Sequence, residues 1–450
     1  MTASADSYDE RINGTYPTYN RRAVSFALVI QDLDRLGRNA VFILVLVTAV
    51  VLVCVGAGTV VAQSAPTEEF SKTYGGAGDD WVLSVAETSD SGFAIAGRKD
   101  GDALLIKTDS DGNEEFSKTY GGDDARSVVE TSDGGFAIAG LTSGGAWLVK
   151  TDSNGNVEFN KTYGNGTAES VIETSDGGFA IAGQSVGAEV SDAWLIKTDS
   201  KGNVEFNETY GGGVEDTALS LVEASDGGFA LAGRTESFAS GGEFDKDAWL
   251  IKTDSSGSEQ FNKTFGGGGH DVANTIIEAS DRGFALGGTT RSFGGAGVDD
   301  AWLIKTDSNG IEEFNKTYGG DDGNLANSVI ETSEGCFALA GSTEASGVAN
   351  FDALLVKTDS NGNVQFNQTY GGGNNDGALS VVETSDGGFA LAGDTQSFGA
   401  RGRDAWLLKL SGNESEDGGG DRQGLPGFTV VAAVLAILTA AVVAVRRRTE

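Results

Sequence analysis

One phrase dominates the sequence. Ser-Asp-Gly-Gly-Phe-Ala, or a close variant, recurs seven times, with its Phe at 93, 136, 179, 229, 284, 337 and 389. The successive spacings are 43, 43, 50, 55, 53 and 52 residues, a length that suits one four-stranded blade of a propeller. This recurrence overrides the two or three ordinary domains that 450 residues would otherwise suggest.

Four short segments surround each Phe; in the third copy they are 170–174, 179–183, 193–199 and 204–210, lettered A to D. Each is β-branched or aromatic and bounded by Gly, Asp, Asn or Ser, as strands are. A and B are joined by Ser-Asp-Gly-Gly, and C and D by Asp-Ser-Asn-Gly-Asn, both tight turns with Gly where positive φ is needed. No window carries a helical period. The order of segments decides the topology. The first, 69–75, is a D strand with nothing before it, and the last, 404–410, is a C strand with no D after it. The expected fold is therefore an all-β, seven-bladed β-propeller closed by the N-terminal strand, spanning 66–410. An open β-solenoid is the alternative, and it offers no reason for the offset.

Both ends are apolar. Residues 40–62 contain no charge and are long enough to cross a bilayer as a helix. Arg35 and Arg38 precede them, while Glu68 and Glu69 follow, an asymmetry that places the following chain outside. Small residues at 60–65 allow a signal-peptidase cut, so 40–62 is either a signal-peptide core or a retained signal anchor. Residues 1–39 are then a cytoplasmic leader or an over-extended start. At the other end an acidic, Gly-rich tether (411–424) leads to Pro426-Gly427-Phe428, an apolar stretch and the cluster Arg446-Arg447-Arg448. This order over 425–450 resembles the PGF-CTERM-type sorting signal of archaeal cell-surface proteins, although the tether is shorter and less Thr-rich. The resemblance implies processing by an archaeosortase-type membrane enzyme and replacement of the tail by a lipid anchor. A plain C-terminal transmembrane helix is the simpler reading.

Composition fits an outside location. Sixty-six acidic residues against 31 basic give a net charge of −35. That excess argues against nucleic-acid binding and for a halophilic protein, since high salt screens the self-repulsion of so many carboxylates. The repeat itself is similar to those of haloarchaeal-like surface proteins grouped with quinoprotein-like propellers. Nothing matches a quinone site, so the resemblance implies fold and no cofactor.

Candidate sites follow from strand alternation. The A–B and C–D turns share one face of the disc, and the longer, variable B–C and D–A loops share the other, which is the candidate working face. Phe238, Phe293 and Phe398, each after a Ser, lie on those loops with His270. The three Phe either contribute to a binding face or tuck against neighbouring blades. Trp147, Trp194, Trp249, Trp302 and Trp406 in strand C alternate with Leu104 and Leu354, which marks packing. The Lys at 107, 150, 197, 252, 305, 357 and 409 is expected to pair with a carboxylate. Asp102, Asp192, Asp247, Asp300, Asp352 and Asp404 form a ring at the start of strand C, read as turn aspartates before a cation site. The Asp-Ser-Asn-Gly-Asn turns are hairpins rather than calcium loops, which need six to eight oxygens. Asn160, Asn165, Asn207, Asn262, Asn315, Asn367 and Asn413 begin Asn-x-Thr or Asn-x-Ser sequons, candidate N-glycosylation sites on an exported glycoprotein. His270 is the only His and Cys336 has no partner outside the apolar runs, so a multi-His site is excluded and no Ser–His or Cys–His site is expected. No catalytic, cofactor-binding or metal-ligating residue is assigned.

The expected function is a non-catalytic binding, adhesion or envelope-interaction module at the outer face of the cell membrane, with a glycan or a surface-layer protein as partner. Two alternatives stand beside it: an extracellular carboxylate-dependent glycan hydrolase or lyase, and a structural component of the cell envelope.

Overall fold

The computed structural model describes residues 65–412, apart from 77, 188–189, 243–244, 296–297, 321, 345–349 and 401. Strands β1–β28 form seven antiparallel four-stranded sheets. Six blades use consecutive strands: β2–β5 (81–120), β6–β9 (124–163), β10–β13 (166–210), β14–β17 (216–265), β18–β21 (271–318) and β22–β25 (324–370). The seventh is composite. Strands β26 (Asp376–Glu383), β27 (Phe389–Thr395) and β28 (Asp404–Leu410) are completed by β1 (Glu68–Tyr74), with Thr73 opposite Trp406 and Tyr74 opposite Ala405. The described residues form an all-β, seven-bladed propeller closed by the first described strand. Residues 1–64 and 413–450, with the apolar segments, the sorting signal from Pro426 to Arg448 and Asn413, lie outside the described residues.

The core sits between blades, not within them. Each blade has one face of small residues and one of large ones, and the two interdigitate. Ala230, Ala232, Ala248 and Leu250 of the fourth blade meet Phe284, Leu286, Trp302 and Ile304 of the fifth, all nearly inaccessible to solvent. This is why Phe-Ala-Leu-Ala and Ala-Trp-Leu-Ile read as unbroken apolar runs: a sandwiched strand alternates large with small instead of apolar with polar.

Strand A differs from the sequence expectation. In the third blade β10 runs Gly166–Glu173, four residues earlier than the expected start at 170, with a β-bulge between Ala168 and Ser170. The extra residue breaks the period of two, so the first half of the strand reads as loop. Every A strand carries this bulge. It turns a hydroxyl toward the next blade: Ser84 accepts from Val128 N (3.3 Å), Ser127 from Val171 N (3.1 Å) and Ser380 from Val85 N (3.2 Å). Behind the bulge strand B has Gly, because a Cβ at Gly183 would lie 1.9 Å from Thr167 O.

A second belt ties the turns of neighbouring blades. The Glu ending each A strand accepts both the backbone N–H and the hydroxyl of Ser in the preceding blade's A–B turn. Examples are Ser89 to Glu130 (2.7 and 3.0 Å) and Ser225 to Glu278 (2.8 and 3.0 Å). Ser385 to Glu87 closes the circle between the last and first blades.

Candidate functional site

The strand pairing places the A–B and C–D turns on one face and the B–C and D–A loops on the other, as alternation requires. On the turn face the repeated Lys is structural. Lys107 is buried, yet its ammonium contacts Asp90 (2.9 Å), Glu115 (3.0 Å) and Thr108 O (2.8 Å). A buried ammonium requires such partners. Desolvation raises the pKa of Asp90, but hydrogen bonds from Thr88, Lys107 and the Gly92 amide overcome it and lower the value to about 2. The hairpins between strands C and D are Asx turns: Asp109 Oδ1 accepts from the amides of Asp111 (3.0 Å) and Asn113 (2.8 Å).

The loop face is built by a motif that sequence reasoning missed. In the fourth, fifth and seventh blades a buried Asp at the start of strand A receives a Thr hydroxyl, a Ser hydroxyl and a loop amide. Asp216 takes Thr235 Oγ1, Ser237 Oγ (2.6 Å) and Gly212 N (2.9 Å). Asp271 takes Thr290 Oγ1, Ser292 Oγ (2.5 Å) and Gly267 N (3.0 Å). Asp376 takes Thr395 Oγ1, Ser397 Oγ (2.6 Å) and Gly372 N (2.7 Å). The Thr oxygen then accepts the amide of Phe238 (3.1 Å) or Phe398 (3.2 Å). The signal was present as Thr-x-Ser-Phe at 235–238, 290–293 and 395–398, with Asp nineteen residues before each Thr.

The three Phe share one placement, with the rings of Phe238 and Phe398 also beside Gly212 and Gly372 of the loops that arrive from the preceding blade. Each lies on the strand-C Trp of its own blade: Phe238 on Trp249 (5.6 Å between centroids), Phe293 on Trp302 (5.5 Å) and Phe398 on Trp406 (6.0 Å). The inter-blade space is already filled by the Trp, which is fully buried, so the Phe is stacked above it and remains 45%, 46% and 41% exposed, respectively. His270 is also exposed in its loop and gives its carbonyl to Arg291 N (3.0 Å). A shallow cleft of about 430 Å³ on this face is lined by Val186, Val190, Val214, Glu215 and Glu236. Trp81, at the seam between first and last blades, carries Arg98 at 5.1 Å and Arg403 at 6.0 Å.

The aspartates at the start of strand C cap the B–C loops where those loops are long. Asp247 accepts from Ser240 N (2.8 Å), Asp300 from Gly295 N (3.0 Å) and Asp404 from Ala400 N (2.7 Å). Burial raises the pKa of Asp192, Asp247 and Asp352, and the strand-A carboxylates Asp216, Asp271 and Asp376 raise them further. Those three strand-A carboxylates are almost fully buried and saturated by their own blade, which leaves them no access to a substrate. Among the described residues no three His, Cys, Asp or Glu side chains come together as a metal set.

Five of the sequon asparagines, Asn160, Asn207, Asn262, Asn315 and Asn367, lie on the outermost strands, and Asn165 lies in a D–A loop. Asn160 Oδ1 accepts the Trp147 indole N–H at 2.8 Å, and Asn207 Oδ1 accepts that of Trp194 at 2.5 Å. The carbonyl oxygen is used while the amide nitrogen, the atom that carries a glycan, is not. Asn262 and Asn315 turn instead to Glu259 (2.6 Å) and Glu312 (2.9 Å), leaving the Trp249 and Trp302 indoles unpaired.

No protein-family model matches the chain, and no curated protein matches it. Solved structures similar to it include the Dos1 propeller, at 14% identity over 74% of this chain and 78% of that one, with a TM-score of 0.47. Sqt1 from Chaetomium thermophilum aligns at 14% identity over 73% of this chain and 83% of that one, TM-score 0.47. A protein of unknown function from Bacteroides caccae aligns at 12% identity over 65% of this chain and 94% of that one, TM-score 0.39. At these values the likeness carries no functional argument, and the ring stands on the chain's own strand pairing.

Proposed function

We propose that this propeller is a non-catalytic binding module held at the outer face of the cell membrane, with the loop face as its working surface and a glycan or surface-layer component of the envelope as partner. One observation carries the reading: Phe238, Phe293 and Phe398 are half exposed, yet each is stacked on a buried Trp in a loop held by a buried Asp–Thr–Ser network. Aromatic side chains held rigid before contact lose little entropy on binding, which is what an anchor residue needs. The apolar ends, the PGF-type tail and the outward-lying sequons support an anchored, glycosylated, archaeal surface protein. The burial of Asp216, Asp271 and Asp376, each fully bonded, speaks against these three as the acid or base of a hydrolase.

The test is sedimentation of the full chain with isolated cell envelopes. Replacing all three Phe by Ser should weaken binding about tenfold or more, since aromatic anchors contribute roughly 1–2 kcal/mol or more each, without lowering the melting temperature appreciably. Binding that survives the triple change would move the working surface elsewhere.

A further inference from the structure

Where repeat copies depart from their shared pattern at one spot, the departure asks for a reason. On the turn face, between the fourth and fifth blades, a cleft of about 480 Å³ is lined by Lys252, Gln260, Phe261, Arg282, Ser308 and Asn309, with Ser225, Asp226, Glu278 and Phe284 around them. That volume lies in the range of small-ligand pockets, roughly 300–1,000 Å³.

Two residues here break the repeat. Gln260 stands where five other blades place Glu69, Glu115, Glu158, Glu205 or Glu313 against the buried Lys. Lys252, only 3% exposed, therefore contacts Asp226 (2.9 Å) and Thr253 O (2.8 Å) and lacks the third acceptor that the Lys of those five blades has. Arg282 stands where five blades have Gly, in a left-handed backbone conformation (φ 68°) that an L-residue adopts at a cost of about 1 kcal/mol or more. Its guanidinium has no partner among the described residues, although acidic side chains outnumber basic ones 66 to 31. The carboxylates lining the cleft are already engaged: Glu278 by Ser225 N and Oγ, and Asp226 by Lys252 and Gly228 N (2.9 Å). A buried ammonium, a primary amide and a guanidinium thus share one cleft with hydrogen-bond donors to spare.

The sixth blade supplies the comparison. Gln365 also replaces Glu there, but Cys336 occupies the space, the Gln amide meets its sulfur at 3.7 Å, and Lys357 is held by Glu334 at 2.8 Å. The fourth blade has Gly228 at the position of Cys336 and stays open.

We infer that this cleft binds the carboxylate of an acidic sugar. The ligand's carboxylate takes the place of the missing Glu between Lys252 and Arg282, the Gln260 amide donates beside it, and the edge of Phe261 with Ser308 and Asn309 meets the hydroxylated ring. Charge-assisted hydrogen bonds to a carboxylate are the strong ones, and the planar guanidinium suits a bidentate contact. The site is independent of the loop face and stands or falls separately from it.

Calorimetric titration of the full chain with D-glucuronate tests the assignment, with glucose and acetate as neutral-sugar and bare-carboxylate arms. Saturable binding in the millimolar range or tighter is expected for glucuronate, with both controls weaker by about tenfold. Gln260→Glu restores the repeat, fills the site with its own carboxylate and abolishes binding. Arg282→Gly also restores the repeat and weakens binding about tenfold, with a melting temperature equal to or above the parent's. Gln365→Glu leaves binding unchanged. Absence of saturable glucuronate binding, equal binding of glucose, or binding indifferent to both Gln260→Glu and Arg282→Gly overturns the proposal.

Discussion

A single position in the A–B turn shows how a residue takes its meaning from its neighbours. In six blades Gly precedes the repeated Phe because that backbone runs against the strand-C Lys: a Cβ at Gly92 would lie 2.1 Å from Thr108 O and 2.7 Å from Lys107 Nζ. The sixth blade has Cys336 there, and two further changes accompany it. Lys357 no longer bonds the carbonyl of Thr358, and Glu334, one methylene longer than the usual Asp, reaches the ammonium at 2.8 Å. The structure makes Cys336 one half of a compensating pair. A double-mutant cycle on Cys336→Gly and Glu334→Asp, followed by urea unfolding, should therefore be non-additive. The double change should be more stable than the sum of the singles by about 0.5–3 kcal/mol, the range for contacting residues. Strict additivity would separate the two positions.

At the scale of the element, strand β1 decides whether the ring closes. It provides Glu69 to Lys409 (3.1 Å), Ser71 Oγ to the Trp406 indole (2.8 Å) and a full ladder to β28. Thr67 and Ser411 join just beyond that ladder, through paired hydroxyls (3.0 Å) and the amide of Ser411 (2.8 Å). Removing residues 67–75 leaves β28 as an open edge and Lys409 short of one acceptor. The expected outcome is a fall in melting temperature of the whole domain, several kelvin or more per roughly 2–3 kcal/mol lost at this size, with a tendency to self-associate through the bare edge. Calorimetry and light scattering measure the two effects, and a variant that melts with the parent would take closure away from β1. The bulged A strands are the converse case. Their extra residue breaks the alternation by which a strand is recognised, so their first halves were not legible although the inter-blade Ser contacts depend on them.

For the whole molecule, charge sets the response to acid. Asp90, Asp133, Asp176 and Asp386 in the A–B turns are lowered to about 2. Desolvation opposes the shift, or comes second to a Thr hydrogen bond in Asp176, and bonds from Thr, Lys and Gly overcome it. A carboxyl with a depressed folded value stabilises above its unfolded value, near pH 3.9, and loses that contribution as pH falls toward about 2. Asp192, Asp247, Asp300 and Asp352 behave in the opposite sense. Burial raises them, so their ionisation costs stability as pH climbs through their folded values. With a net charge of −35 adding repulsion at neutral pH, stability at fixed salt should rise from pH 7 toward about pH 4–5 and fall steeply below about pH 4. Thermal melting across that range measures it. A monotonic loss from pH 7 downward would contradict this balance.

The sequence by itself determined the number of blades, the strand order and the identity of the two faces. Repeat spacing, turn residues and an offset of one strand are local properties, and local sterics govern them. It also exposed the Lys as a paired residue, because an ammonium recurring in an apolar strand has few other options. What only the tertiary structure decided lies between blades: the Ser–Glu belt, the Asp–Thr–Ser network beneath each loop Phe, and the stacking of that Phe on its own Trp. The partners there are tens of residues apart and their pairing depends on the angle at which neighbouring sheets meet. The same is true of the cleft at Gln260 and Arg282. Each looks like a minor substitution in its own copy, and they become one site only because the ring sets the fourth blade against the fifth.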